Sequence, residues 1–310
     1  MARTRSCPAC DGETARCLGL ARGYLIFRCH RCGTDFASET GSPDFGTDYE
    51  GYYSDENLTS PEVVHTSLDR TLRGFDKYRA TNRLLDVGFG AADVLQAARR
   101  AGWEPAGVEV SKPAVENARA QGFDVAHGTL EDATYPDDSF DVVVSTEVLE
   151  HVPFPRQMLD QIFRVLRPGG LLWATTPHGG GVSGKLLGLD WSIMAPPEHL
   201  QLFSLAGIKR MMTDSGYRIE RVVTESVNPY NVLQELKGKW FPSRAASFDR
   251  MESNRRILEV VYASPGLTKV KAAVDAVLHV TRLGDGLRVW ATKPGAGDPQ
   301  QGGVEEGGRG

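Results

Sequence analysis

Cysteine is missing from everything beyond residue 32 of this 310-residue chain, its five copies all falling earlier. A disulfide framework therefore cannot hold the bulk of the fold, which must rest on a buried core, as a chain of this length can provide. No apolar run reaches the ~20 residues a membrane-spanning helix needs. Met1-Ala2-Arg3-Thr4-Arg5 leads straight to cysteine without an apolar signal region, so the cytoplasm is the expected compartment. A large excess of one charge is also lacking: the formal net charge is −5, which argues against a general grip on nucleic acid or anionic lipid.

What is present is most informative between Leu84 and Glu109. Leu84-Leu85-Asp86-Val87 is a short apolar run suited to a buried parallel strand, and Gly88-Phe89-Gly90 lets backbone pass close to a ligand. Ala91, Val94, Leu95 and Ala98 recur at helical spacing, Gly102 closes the helix, and Ala106-Gly107-Val108 leads to Glu109 at the end of a second strand. An acid there can hold a ribose diol. A dinucleotide fold would want a full G-x-G-x-x-G against a pyrophosphate; this loop lacks the third glycine, and Asp86 would repel a diphosphate.

The words that follow form an ordered set: Gly107-Val108-Glu109-Val110-Ser111, Gly128-Thr129-Leu130-Glu131-Asp132, Ser139-Phe140-Asp141-Val142-Val143, Leu149-Glu150-His151-Val152 and Leu166-Arg167-Pro168-Gly169-Gly170. With the glycine loop, and over roughly residues 80 to 225, they resemble the class I S-adenosylmethionine-dependent methyltransferases. The resemblance implies an α/β fold: a Rossmann-like seven-stranded, mostly parallel sheet with helices on both faces. In it Asp86, Gly88 and Gly90 would face the methionine moiety, Glu109 beside Val110 would take the ribose, the Thr129-Leu130 backbone would read adenine, and Leu130 would cover the base. Glu147, Glu150 and His151 follow the strand Val142-Val143-Val144, and Glu147 joins the cofactor-facing set. Ala92 stands for the family's usual third glycine and Phe89 for a common cysteine, with the Phe89 ring expected in an adjacent layer.

Cys7-Pro8-Ala9-Cys10 and Cys29-His30-Arg31-Cys32, with 18 residues between the pairs, have zinc-ribbon spacing. Four thiolates around a structural Zn²⁺ would supply folding energy that so short a segment lacks. Cys17 and His30 are spare. The first 33 residues also carry Arg3, Arg5, Arg16, Arg22, Arg28 and Arg31. An RNA-binding role thus stays open, as in ribosomal RNA methyltransferases with such ribbons; no stacking platform of interleaved aromatics accompanies them. The other reading is a lid or substrate wall, as in bacterial methyltransferases of nucleotide-linked sugars and other secondary-metabolite scaffolds.

The expected organisation is a ribbon over 1–40, a connector with an N-terminal helix over 41–80, a catalytic domain over 81–293 and a disordered tail over 294–310. A helical insertion over about 229–282 precedes the last strand, Gly286 to Thr292, which the family places antiparallel between the fifth and sixth. The insertion would cover the substrate or form a homodimer face. Tyr49, Tyr52 and Tyr53 in the connector and Trp191 after the fifth strand are substrate candidates. Gly179-Gly180-Gly181 predicts a mobile loop at the substrate. Pro197-Glu198-His199-Leu200-Gln201-Leu202-Phe203-Ser204 resembles a segment of sugar C-methyltransferases whose Glu-His pair abstracts a proton. His199, held by Glu198, is the first candidate base, with His178 and His151 behind it. The implied reaction is methylation of a small or carrier-linked molecule, hydroxyl oxygen first, amine nitrogen or sugar carbon next. A non-catalytic zinc-ribbon interaction protein is the alternative of a different class.

Overall fold

The computed structural model describes residues 5–38, 62–240, 253, 257, 260–262 and 264–295. Tyr49, Tyr52 and Tyr53, and the tail beyond residue 295, lie outside them. The chain opens with three short antiparallel strands, β1 (Ala15–Ala21), β2 (Tyr24–Cys29) and β3 (Asp35–Ala37). Helix α1 (Glu62–Arg73) and a 3₁₀ turn lead into the alternation β4 (Arg83–Val87), α2 (Asp93–Arg100), β5 (Glu104–Glu109), α3 (Lys112–Ala120), β6 (Asp124–His127), β7 (Phe140–Thr146), α4 (Pro155–Val165) and β8 (Leu166–Pro177). Then come α5 (Val182–Leu187), β9 (Gln201–Leu202), α6 (Leu205–Asp214), β10 (Arg218–Glu225), α7 (Pro229–Trp240), α8 (Pro265–Thr281) and β11 (Gly286–Thr292).

Seven strands form one sheet in the order β10-β11-β8-β7-β4-β5-β6. β11 runs antiparallel to both its neighbours, β10 and β8, while β8, β7, β4, β5 and β6 pair with one another in parallel. The central strands are apolar on both faces because helices cover both. Leu85, Val143 and Leu172 enter a core with Leu159 and Ile162 of α4 and Met211 of α6, while Leu84, Val142, Val144, Leu171 and Trp173 pack with Phe75, Val94 and Ala98 on the opposite side. That strict alternation is the two-residue period of a pleated strand. Strand order reverses between β4 and β7, so a crevice opens above their carboxyl ends, the usual ligand position in open α/β sheets.

One strand is longer than its apolar run, and one expectation needs correction. The fifth strand of the series, β8, runs back through Pro168, Gly169 and Gly170 to Leu166, with a register jump where Phe140 pairs Leu166 but Val142 pairs Leu171. The glycines 179–181 are packing residues, not a hinge: a Cβ on Gly179 would sit 2.9 Å from Leu202 O, and one on Gly181 would sit 2.5 Å from Asp285 Oδ1. Small size is needed there because chain passes against chain.

Of the insertion, α7 braces the loop after α5, where Glu235 accepts from Ser192 N at 3.0 Å and Ser192 Oγ at 2.7 Å. α8 rests on β10 through Thr224 Oγ1 donating to Leu278 O, and leaves Val270, Val274 and Val277 facing outward. Neither α7 nor α8 lines the main cavity. Among the described residues no helix is long and apolar enough to cross a membrane.

The start of the catalytic domain hangs on Asp141 at the base of β7. Its carboxylate is fully buried, accepts from Ala80, Thr81 and Asn82 N–H groups at 2.7–2.8 Å, and pairs with Arg167 Nε at 2.5 Å. Burial alone would raise its pKa, but Arg167 and the three N–H donors more than offset that and hold it below the ordinary range. A depressed carboxylate pKa means stability that is present above the unfolded-state value near 4 and is lost as pH falls through the folded one. Asp141→Ala should therefore cost on the order of 3 kcal/mol in denaturant unfolding at neutral pH, and the variant should lose part of the wild-type protein's sensitivity to acid. A cost under ~1 kcal/mol would refute this anchor.

Candidate functional site

The turn after β4 is left-handed at Gly88 (φ 74°), Gly90 (φ 50°) and Ala92 (φ 64°). A Cβ on Gly88 would approach Val148 Cγ2 to 2.5 Å, so no other residue fits that place. Phe89 turns away from the crevice into a cluster with Leu95, Val115 and Phe123, as its position in an adjacent layer requires. Glu109, at the end of β5, is fixed by two backbone donors, Gly90 N at 3.0 Å and Ser111 N at 2.9 Å. Burial raises its pKa against those bonds.

Above these groups lies a cavity of about 670 Å³, within the ~300–1,000 Å³ range of small-molecule sites. One end is lined by Gly88, Glu109, Val110, Thr129 and Leu130; the other by Glu150, His151, Ile193, Ala195, Glu198 and His199, with Glu147 between. Asp86 and Gly90 are not on its wall. Asp86 is buried under the turn with neither oxygen hydrogen-bonded among the described residues, and burial, then Glu109 and Asp93, push its carboxyl well above the usual range. Thr129 donates both its amide and its hydroxyl to Asp132 Oδ2, at 2.9 and 2.8 Å, so beside Leu130 it lines the wall with its polar groups already engaged.

Between the two ends, Glu147 accepts from Thr175 Oγ1 at 2.7 Å. Glu150 is fully buried: Thr176 Oγ1 donates to its Oε2 at 2.9 Å, while Oε1 has no hydrogen-bond partner among the described residues. Burial, then the charge of Glu147, raise its pKa well above normal. His151 Nδ1 lies 3.0 Å from Glu198 O, and His199 Nδ1 lies 2.7 Å from Ile193 O. A carbonyl only accepts, so each ring carries its proton on Nδ1 and a lone pair on Nε2. The rings meet edge to face at 4.5 Å between centroids, and His151 Nε2 is 3.8 Å from Glu150 Oε1. Burial, and next His199, push the His151 pKa down to about 3, so this imidazole stays neutral at physiological pH.

The sequence reading paired His199 with the carboxylate of Glu198. The structure instead holds the His199 ring on a backbone carbonyl, gives the Glu198 carbonyl to His151, and brings in Glu150 as the buried carboxylate. His178 does not reach the cavity. It is 3% exposed and donates from Nδ1 to Gly284 O at 2.8 Å, a tie between the end of β8 and the entry to β11. Trp191 is likewise displaced from the substrate wall, packed with Ile26, Ala37 and Leu202. Ser192 and Ile193, which do line the cavity, escaped the sequence reading; adjacency to Trp191 was their only signal.

That Trp191 cluster is a seam. β9 adds to β3, so the order β1-β2-β3-β9 makes one sheet from both parts of the chain. Arg5 reaches across it to Ala37 O, Pro153 O, Leu200 O and Gln201 Oε1, at 2.9–3.1 Å. Ser204, capping α6 by accepting from Gly207 N, donates its hydroxyl to Cys32 O. Beside this seam Cys7, Cys10, Cys29 and Cys32 are buried with all four sulfurs within 4.8 Å of one another, and the Cys7–Cys32 and Cys10–Cys29 pairs lie at 3.6 Å. Bonds of ~2.3 Å to a tetrahedral ion require sulfurs ~3.8 Å apart, so the cluster fits such an ion and is not disulfide-bonded.

Comparison with known proteins agrees with this arrangement. Residues 62–222, just over half of the chain, match the family described as "Methyltransferase domain". A probable S-adenosylmethionine-dependent methyltransferase of Mycolicibacterium smegmatis is 31% identical over 161 residues, covering 51% of this chain and 58% of that protein. The 27-O-demethylrifamycin SV methyltransferase of Amycolatopsis mediterranei is 37% identical over 133 residues, covering 40% and 48%. The chain thus spans about half the length of these two curated relatives. Among solved structures, phosphoethanolamine N-methyltransferase 2 of Haemonchus contortus in complex with S-adenosyl-L-methionine shares the fold, with a TM-score of 0.52 at 19% identity over 84% of this chain and 62% of that one. Glycine turn, buried Glu109, sheet order and family match converge: the chain belongs to the S-adenosylmethionine-dependent methyltransferase family.

Proposed function

We propose that this protein transfers a methyl group from S-adenosylmethionine to a hydroxyl oxygen of a small or carrier-linked acceptor, such as a sugar, a nucleotide-linked sugar or a natural-product intermediate. The carrying observation is the two-ended cavity: a buried acid beside a glycine turn at one end, and Glu150, His151 and His199 at the other. When bound, the cofactor supplies a methyl group activated on a sulfonium. Glu109 accepts the ribose hydroxyls, Gly88 leaves room for backbone approach, and Leu130 covers the base. The buried acids favour a cationic nucleoside over a diphosphate. Glu147 lines the middle of the cavity, and the acceptor hydroxyl is activated where Glu150, His151 and His199 meet, within reach of an in-line displacement. Hydroxyl as acceptor is also favoured by the 27-O-demethylrifamycin relative, whose name specifies an oxygen.

The ribbon holds the acceptor wall in this reading, with zinc in the four-cysteine cluster. Its arginines are partly engaged within the protein: Arg5 in the seam, Arg28 with Asp35 at 2.6 Å. That use supports a structural ribbon over one that grips RNA.

Calorimetry should detect S-adenosylmethionine binding to the wild-type chain, and Glu109→Ala should weaken it at least a hundredfold, about 3 kcal/mol. Gly88→Ala should do the same through the clash with Val148. No binding by wild type removes the proposal. Conversion to S-adenosylhomocysteine, followed across a panel of hydroxylated and aminated acceptors, should appear with the hydroxylated ones. Stripping the ribbon with a strong chelator should release one zinc ion, lower the melting temperature by on the order of 10 °C and red-shift Trp191 emission. A Trp191→Phe variant should lack that shift, and an unshifted wild-type spectrum would show that the ion does not hold the seam.

A further inference from the structure

Helix α8 (Pro265–Thr281) is built inside out for a surface helix, which normally turns its apolar stripe to the core and its charges to solvent. The side facing the protein carries polar groups, and they are engaged there. Lys271 pairs with Asp275, Asp275 accepts from Ser226 N at 3.1 Å, and Thr268 Oγ1 donates to Val261 O at 3.0 Å, with Leu278 the large apolar side chain among them. The outward side holds Leu267, Val270, Val274, Val277 and Val280, which are 43–80% exposed. A single exposed apolar residue needs no explanation, but five on one helix face form a continuous patch. At ~100° per residue, Val270, Ala273, Val277 and Val280 make a row of 3-4-3 spacing with Leu267 and Val274 beside it, and no charged residue interrupts the arc they span.

We infer that this face is where two copies of the chain pair, α8 against α8, antiparallel about a two-fold axis. The surface lies outside the cavity, and the pairing does not depend on the acceptor chemistry. A two-fold contact requires a patch that fits itself. The 3-4-3 row meets that demand because it reads the same in either chain direction: Val270 of one copy meets Val280 of the other, and Ala273 meets Val277, small against large. Antiparallel helices also bring opposite macrodipole ends together. The area is sufficient. Five valine and leucine side chains so exposed present on the order of 500 Å² per copy, so two copies bury about the 1,000 Å² that a specific interface must clear. A lipid surface is the other taker for such a helix, and composition disfavours it. Interfacial helices present Trp, Phe or Leu below flanking Lys and Arg, whereas this band has no aromatic residue and the chain carries a net charge of −5. Valine is stiff and alanine short, so both lose little rotamer freedom when helix packs on helix.

Sedimentation equilibrium of the full-length chain, over roughly 1–100 µM, should report a species of twice the single-chain mass, since interfaces of this order of size hold with micromolar or tighter constants. Val270→Glu and Val277→Glu should each raise the dissociation constant by ~30-fold or more, because a carboxylate would be buried against apolar side chains at the axis. Leu20→Glu, at a comparably exposed apolar residue of β1, is the control and should leave the constant unchanged. Near-ultraviolet circular dichroism of each variant, matching wild type, checks that the fold is kept. A wild-type chain that stays single throughout the range overturns the inference, and flotation with phosphatidylcholine–phosphatidylglycerol vesicles then tells whether the face meets lipid instead. A dimer whose dissociation constant neither α8 variant moves is held elsewhere on the surface and overturns it equally.

Discussion

The short strand Gln201–Leu202 is the point on which the ribbon and the acceptor end of the site both depend. On one side it pairs with β3 of the ribbon. On the other, Gln201 Nε2 donates to Leu149 O and Val152 O at 2.7 and 2.8 Å, clasping the loop that carries Glu150 and His151. His199 precedes it, and Ser204 follows as the cap of α6. The acceptor end of the cavity is therefore a loop bounded by ordered hydrogen bonds at every exit. Gln201 is fully buried, so these bonds act without competition from water.

Electrostatics divide the cavity in a way the hydrogen bonds alone do not reveal. Among the described residues Asp86 is buried with neither oxygen hydrogen-bonded, Glu150 is buried beside the carboxylate of Glu147, and Glu109 is buried with backbone donors from Gly90 and Ser111. No described lysine or arginine lines the cavity. Burial raises all three carboxyls, so the cleft holds its negative charge in reserve and expresses it when something positive arrives. A sulfonium entering the cleft would meet acids prepared in this way.

Much of this was legible in the sequence, and the limit falls where local pattern stops. Leu84 to Glu109 encodes strand, turn, helix and strand through periodicity and glycine placement, and each formed. So did the antiparallel last strand, which the family resemblance supplied, and the four-cysteine cluster, which spacing supplied. What spacing could not show was the partner of each histidine. Glu198 is adjacent to His199 in sequence, yet the buried carboxylate near it is Glu150, brought there by backbone bonds between segments about fifty residues apart. His178 and Trp191 look like site residues because they are polar-tipped and follow a strand, but tertiary packing turns both into ties. Asp141 read as one letter of a family word; its task of collecting three N–H groups and an arginine emerges only in three dimensions. The glycines at 179–181 suggested freedom, whereas close chain crossings demanded their small size.

The shared sheet also has a consequence for biosynthesis. β3 leaves the ribosome long before β9, so during synthesis the nascent ribbon carries an unpaired edge with its backbone donors and acceptors open to wrong neighbours. Filling the cysteine cluster early would stiffen that edge while it waits, and only completion of the central sheet brings Gln201 to cover it. Sequence-distant pairing of this kind forms late. The ion would then act first as a chaperone-like clamp on an unfinished chain, and only afterwards as part of a finished wall.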